Sequence, residues 1–427
     1  MQIVPIRHPL RATVRVPGSK SLTNRALLIA SLAHGTTKLA NALFSDDSRY
    51  FANALQTLGF ALHLDESKSE ITVTGRGGII PAARAELFIG NAGTAARFLS
   101  ALLALGRGEF ILDGDARMRE RPIADLVDAL TQLGARVESI NGFPPLTIHA
   151  SGLTGGRVRL AGDISSQFLS ALLMVAPYAK TPVEIQLTTD LNSKPYVDMT
   201  LAVMQDFGVT AQRDGYRSFS VPLASYKLQG TPRIIGNSYP IESDASAASY
   251  FFAAPAICGG SVRVDNISRD SKQGDLAFLD VLTLMGCRVS QGETFIEVSG
   301  ATTLRGVDVD MRDIPDTAQT LAAVAPFASS PTRIRGIASA RLKETDRVRA
   351  VCNELTRLGV RVIEHEDGMT IHPCEKFIPA TVQTYNDHRM AMAFSLIGLR
   401  VDGVSIENPN CVSKTFPFFF ETLEQLR

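Results

Sequence analysis

The sequence predicts an α/β protein of two domains, each assembled from three copies of one helix-and-strand unit. Three observations predict it. The chain has 427 residues, two to three times a usual domain, so it can bury more than one core. Apolar, alanine-rich helical runs recur six times at intervals of about 72 residues. The pattern after each run changes in one order, to a short β-rich segment, a polar stretch and a second helix, and in five copies on to a glycine and two alternating strands.

The runs begin just after Lys20, Gly93, Ser165, Asp244, Asp316 and Asp387. They are apolar nearly all round, as in Thr94-Ala95-Ala96-Arg97-Phe98-Leu99, and so should be buried. The short β-rich segments that follow begin at Thr37, Phe110, Val183, Val262, Thr332 and Val404. Second helices such as Asp125-Leu126-Val127-Asp128-Ala129-Leu130 carry one apolar face and should half face solvent. Five of them close at Gly59, Gly134, Gly208, Gly286 and Gly359, where a helix ends in a left-handed residue. The sixth is the chain end from Phe418 to Arg427. The longest interval separates the third and fourth copies, and the extra residues around Leu228 to Pro240 read as a linker between two domains of three units.

Composition limits the partners. Lys plus Arg and Asp plus Glu both number 43, so there is no basic excess to favour nucleic acid or an anionic membrane surface. The five cysteines are scattered without a C-x-x-C pair and read as buried, reduced thiols of a cytoplasmic protein. Met1 to Arg11 resembles neither a signal nor a transit peptide. The most apolar stretch, Tyr250 to Cys258, is far shorter than the roughly 20 residues that cross a bilayer.

Chemistry-bearing residues gather at the helix starts. Pro17-Gly18-Ser19-Lys20-Ser21 is a turn opening into a helix, a place where free N–H groups and the dipole attract an anion. It is not the nucleotide P-loop, since Thr13 stands where the first glycine should be. The other starts carry Asn91-Ala92-Gly93-Thr94, Arg121, Ser165-Ser166-Gln167, Ser193-Lys194-Pro195-Tyr196, Asp316, Lys343-Glu344-Thr345-Asp346-Arg347, Asp387-His388-Arg389 and Lys414. Asp46, Asp47, Asp244 and Asp346 read as ordinary N-caps or first-turn acids. Cations at such places are unfavourable by up to about 1 kcal/mol unless an anion sits there, so Lys20, Arg121, Lys343, Arg347, Arg389 and Lys414 mark a site for a multiply charged anion. His8, His34, His63, His149, His365 and His372 share no metal-ligand spacing, and Phe416 to Phe420 reads as core.

Eight of these motifs in order, from Pro17-Gly18-Ser19-Lys20-Ser21 with Asn24-Arg25 to Lys414-Thr415-Phe416-Pro417, resemble the 5-enolpyruvylshikimate-3-phosphate synthases over essentially the whole chain. Ser165-Ser166-Gln167-Phe168 and Gly93 resemble the glyphosate-sensitive class. The resemblance implies the enolpyruvyl transferase fold, a two-domain inside-out α/β barrel of six βαβαββ repeats. Residues 1–18 and 242–427 would form the first domain, residues 19–241 the second, and the active site would lie in the cleft between them. It also implies an enzyme of the shikimate pathway of aromatic amino acid biosynthesis, cytoplasmic and monomeric, with no cofactor or metal. Shikimate 3-phosphate would be held by Lys20, Ser21, Arg25, Ser165, Ser166, Gln167, Ser193, Tyr196, Asp316, Ser339 and Lys343. Phosphoenolpyruvate would be held by Lys20, Asn91, Gly93, Thr94, Arg121, Gln167, Arg347, Asp387, Arg389 and Lys414. Ser339 stands where the family usually has Asn, Phe98 replaces a common Pro and Thr23 a common Ser.

The implied reaction adds a sugar hydroxyl to C2 of phosphoenolpyruvate while C3 takes a proton, then expels phosphate as C3 returns it. Asp316 is the expected base for the hydroxyl, and Glu344 or Lys20 the proton donor. The sister transferase acting on UDP-N-acetylglucosamine would need a cysteine in the loop Ala116 to Pro122, and no cysteine precedes Cys258. A non-catalytic phosphosugar-binding protein would need the cations but not Asp316 and Glu344.

Overall fold

The structure, a computed structural model, describes residues 1–231 and 234–427. The chain divides into two compact units, Met1–Pro17 with Ser243–Arg427, and Gly18–Glu242. Each has its own buried apolar core.

Among the described residues twelve α-helices alternate as first and second helices of six copies. In the Gly18–Glu242 unit they are α1 (Lys20–Leu32), α2 (Asp46–Thr57), α3 (Gly93–Ala104), α4 (Ala124–Gln132), α5 (Ser166–Val175) and α6 (Lys194–Asp206). In the other unit they are α7 (Ala245–Cys258), α8 (Phe278–Leu284), α9 (Ala318–Val324), α10 (Arg347–Arg357), α11 (His388–Gly398) and α12 (Phe419–Glu424). Every residue of α3 and α11 is buried, as their all-round apolar sequences require. The second helix α4 buries only Leu126, Val127, Ala129 and Leu130. No helix among the described residues is long and apolar enough to cross a membrane.

Three copies show the same complete sheet. Arg84–Phe88 runs parallel to Arg107–Asp113, which pairs antiparallel with Phe143–Ser151 and through it with Arg136–Ile140. The sheets of Val183–Leu187 and of Thr332–Arg335 repeat that order. The other sheets draw on distant segments. His34–Ala40 takes its parallel neighbour from Ser238–Pro240, and Gly260–Val264 takes its neighbour from Leu10–Val14. In the last copy Thr381–Val382 pairs with Ser405–Ile406, and the chain start supplies the antiparallel edge through Gln2 opposite Ser405.

The structure corrects the sequence reading in four places. The stretch Leu228 to Pro240 is not simply a linker: Tyr239 is buried, donates to Asp206 Oδ2 at 3.0 Å and belongs to an edge strand. Pro232 and Arg233 of that stretch lie outside the described residues. The second helices α4, α10 and α12 start after Arg121, Lys343 and Lys414 or their neighbours rather than at them, because short 3-10 turns, Met118–Glu120, Ala338–Leu342 and Pro409–Lys414, stand before them. Arg121, Lys343 and Lys414 therefore sit in the turns leading to their helices, whereas Lys20, Arg347 and Arg389 are in true first turns. All five cysteines are free, but Cys374 is only half-buried, in the irregular segment after Gly368–Ile371.

Candidate active site

In the Gly18–Glu242 unit the candidate residues fall into small linked groups at the starts of α1, α3, α5 and α6. Ser19 caps α1 by accepting from the Leu22 N–H at 3.4 Å, which presents Lys20 as the first helical residue. The Lys20 ammonium, mostly buried, lies 3.3 Å from Oδ2 of Asp47 in the first turn of α2. One turn on, the Arg25 guanidinium is enclosed. It donates to Thr200 Oγ1 at 2.7 Å and to the carbonyls of Ser21 and Tyr196, each at 3.0 Å, and lies 5.3 Å from the Phe98 ring centroid. Burial lowers its pKa to about 10. Arg25 thus ties Ser21 to Tyr196 and fixes two candidate contacts against each other.

Arg121 reaches back to the start of α3, where its Nη1 donates to Asn91 O at 3.1 Å and Asn91 Oδ1 at 3.0 Å. Its guanidinium covers Gly93 so closely that a Cβ there would stand 2.7 Å from Arg121 Cζ. Thr94 Oγ1 accepts from Gln167 Nε2 at 3.2 Å, joining α3 to α5, while Ser165 caps α5 by accepting from the Gln167 N–H at 3.3 Å. Ser166 follows as the first residue of α5. Ser193 stands before α6 in the left-handed region, with φ +57°, next to Lys194 and Pro195.

The other unit gathers a single charged network. Asp316 lies in the 3-10 turn Pro315–Thr317 that opens α9. Its Oδ1 accepts from Lys343 Nζ at 2.5 Å and Arg347 Nη1 at 3.3 Å, and its Oδ2 from Arg389 Nη2 at 2.8 Å. Arg347, 2% exposed, also donates to Glu344 Oε2 and Asp387 Oδ2, both at 2.7 Å. Asp387 caps α11 by accepting from the Arg389 N–H at 2.9 Å. Burial pushes the Asp316 carboxyl up, but Arg389, Lys343 and Arg347 outweigh it and hold it well below the usual carboxylate range. Burial likewise lowers Lys343, and Asp316 offsets this only in part. Burial raises the Tyr250 hydroxyl, which accepts from Arg389 Nη1 at 3.4 Å, to about 12.

The network brings together Asp316, Lys343, Glu344, Arg347, Asp387 and Arg389 as the sequence expected. Ser339 is half-buried in the turn before Lys343, and Lys414 closes the turn Pro409–Lys414 that packs against α11. The phenylalanines behind it are core, with Phe416 and Phe419 edge to face at 5.7 Å, except for exposed Phe418. Sequence reasoning missed the supports of these residues. Asp47 looked like a first-turn acid, which it also is. Arg97, buried inside α3, donates to Gly93 O at 3.2 Å and Pro122 O at 2.9 Å, and a charge in an otherwise apolar helix was its signal. Ser170, Thr200 and Tyr250 left no mark in the sequence beyond their polarity.

Residues 4–423 match the family described as EPSP synthase (3-phosphoshikimate 1-carboxyvinyltransferase). The chain is 50% identical to the 3-phosphoshikimate 1-carboxyvinyltransferase of Trichormus variabilis over 420 residues, covering 98% of this chain and 97% of that one. It is 50% identical to the enzyme of that name from Shewanella denitrificans over 417 residues, covering 97% and 96% of the two chains. Among solved structures, an EPSP synthase from Acinetobacter baumannii superposes with a TM-score of 0.82 at 25% identity, covering 100% of this chain and 97% of that one.

Proposed function

Because the chain belongs to the EPSP synthase family, we propose that it transfers the enolpyruvyl group of phosphoenolpyruvate to the 5-hydroxyl of shikimate 3-phosphate and releases phosphate. The observation that carries the reading is Asp316 held between Lys343, Arg347 and Arg389. A site that only bound a phosphosugar would leave those cations open to the ligand; here a carboxylate that can move a proton is set among them.

The chemistry follows from the charges. The substrates carry a phosphate each and a carboxylate each, so both require fixed cations. Arg347 and Arg389, with Lys414, take the phosphoenolpyruvate carboxylate, and Lys20 and Arg121 its phosphate. Ser165, Ser166, Gln167, Ser193 and Tyr196 take the phosphosugar. Arg25 acts on the same ligand through Ser21 and Tyr196, because its donors are engaged by protein oxygens.

Asp316 in the unliganded protein is a weak base, since three cations stabilise its charge. As the substrate carboxylate draws Arg347 and Arg389 away, its proton affinity rises toward that needed to accept the hydroxyl proton. The oxygen then forms its bond to C2 as C3 gains a proton from Glu344 or Lys20, giving a tetrahedral ketal phosphate. Loss of the C3 proton expels phosphate. On this reading the protein belongs to the glyphosate-sensitive class, which the close approach of Arg121 to Gly93 supports, and works as a cytoplasmic monomer. The test is phosphate release from the two substrates with each omitted in turn. Release that needs both supports the assignment, and release without shikimate 3-phosphate overturns it.

A further inference from the structure

The segment that delivers Asp387 and Arg389 to the site has an unusual backbone. Tyr385 and Asn386, adjacent and neither of them glycine, both lie in the left-handed region, with φ +53° and +54°. L-residues avoid that region, so the surroundings must impose it. One helix does so from both ends. Arg347, the first residue of α10, donates to Asp387 Oδ2 at 2.7 Å and Oδ1 at 3.2 Å. Glu354, two turns further on the same face, is fully buried. Its Oε2 accepts from the Gln383 backbone N–H at 3.0 Å, and its Oε1 accepts from the Tyr385 hydroxyl at 2.9 Å.

A buried carboxylate is costly unless its oxygens are occupied, and here they are occupied by the Gln383 N–H just before the left-handed pair and by the hydroxyl of Tyr385 within it. Among the described residues its one ionic partner is Arg357, at 3.0 Å and half exposed. From this we propose that Glu354 is a positioning residue for the reaction. Resting on the function above, it holds the Gln383 to Asn386 backbone so that Asp387 meets Arg347 and Arg389 meets Asp316 and the substrate carboxylate.

The test compares Glu354→Ala, Glu354→Gln, Tyr385→Phe and the double variant Glu354→Ala with Asn386→Gly in the full-length enzyme. In phosphate-release kinetics, Glu354→Ala raises the KM for phosphoenolpyruvate by about tenfold or more, as misplacement of a binding group does, with a far smaller change for shikimate 3-phosphate. Tyr385→Phe gives the same pattern more weakly. Glu354→Gln, which keeps an acceptor for the Gln383 N–H, restores most of the affinity. Asn386→Gly recovers part of the loss in the double variant, because glycine adopts the left-handed region freely. The rise in melting temperature caused by phosphoenolpyruvate alone, whose carboxylate Arg347 and Arg389 take, is read in parallel and is reduced in Glu354→Ala. This second reading separates the two hypotheses: an inactive wild type whose stabilisation by phosphoenolpyruvate still depends on Glu354 overturns the reaction and keeps the positioning role. A Glu354→Ala enzyme that melts earlier yet shows unchanged substrate KM values and unchanged stabilisation by phosphoenolpyruvate overturns the positioning role.

Discussion

The guanidinium of Arg121 lies over the α-carbon of Gly93, held there by both oxygens of Asn91. A side chain at position 93 therefore meets Arg121 before it meets any ligand. Gly93→Ala is expected to displace that guanidinium and raise the KM for phosphoenolpyruvate, and to raise the inhibition constant of the longer anion glyphosate further. In an Arg121→Ala background the added methyl has nothing to displace, so its effect on phosphoenolpyruvate should shrink. Additive effects in this double-mutant cycle would show that the two residues act separately.

Asp316 should behave as a base that competes with the substrate for its own cations. Asp316→Asn is expected to lower kcat by about a hundredfold or more, the usual range for losing a general base, while phosphoenolpyruvate alone binds more tightly by calorimetry. Weaker binding of phosphoenolpyruvate to the variant would contradict the competition.

The same carboxylate makes a prediction about pH and stability. Its folded pKa lies below its unfolded value, so the stability it contributes is complete above the unfolded pKa of about 3.9 and is lost as pH falls from there through the folded value. Urea unfolding of the wild type and of Asp316→Asn should give a constant difference from pH 7 down to about pH 5, which shrinks only in stronger acid. A difference that disappears near pH 6 would assign it to another group.

Arg347 neutralises Glu344, Asp387 and part of Asp316 in a nearly closed environment. Removing one partner of such a network leaves uncompensated buried charge, so Arg347→Met should cost about 3–5 kcal/mol in urea unfolding at pH 7 as well as abolishing turnover. A loss below about 1 kcal/mol would mean that water reaches these carboxylates freely.

Lys343 offers an alkaline marker. Burial lowers its pKa, so activity should fall on the basic side below the usual lysine value of about 10.4. Lys343→Arg, however slow, should lose that limb; an identical limb in the variant would place the titration elsewhere.

The repeat was legible because all six copies spell a helix start and five a closing glycine, and the glycines at 59, 134, 208, 286 and 359 all have positive φ. The charged network was legible for a related reason: cations near helix starts conflict with the local field and so stand out. What stayed hidden were relationships between distant segments. Nothing in Leu10–Val14 or Ser238–Pro240 records that their sheet partners lie in copies far along the chain, since a strand's pattern reports its buried face and not its neighbour. Glu354 was hidden because a buried charge looks, in sequence, like an exposed one.

That exchange of edge strands bears on how the chain is made. The strand Leu10–Val14 has no sheet to join until Gly260–Val264 has been translated, and Val16 waits for Asn266, 250 residues later. The Gly18–Glu242 unit, by contrast, is finished while much of the chain is still on the ribosome. Leu10–Val14 must therefore remain an unpaired strand through the folding of a whole unit, exposed to wrong partners for that time. A circular permutant could remove the delay. Arg427 Nη2 donates to Val4 O at 2.5 Å, so the two termini lie close enough for a short link. A permuted chain beginning at Ser243 would then carry each unit as one uninterrupted stretch, with a single passage between them.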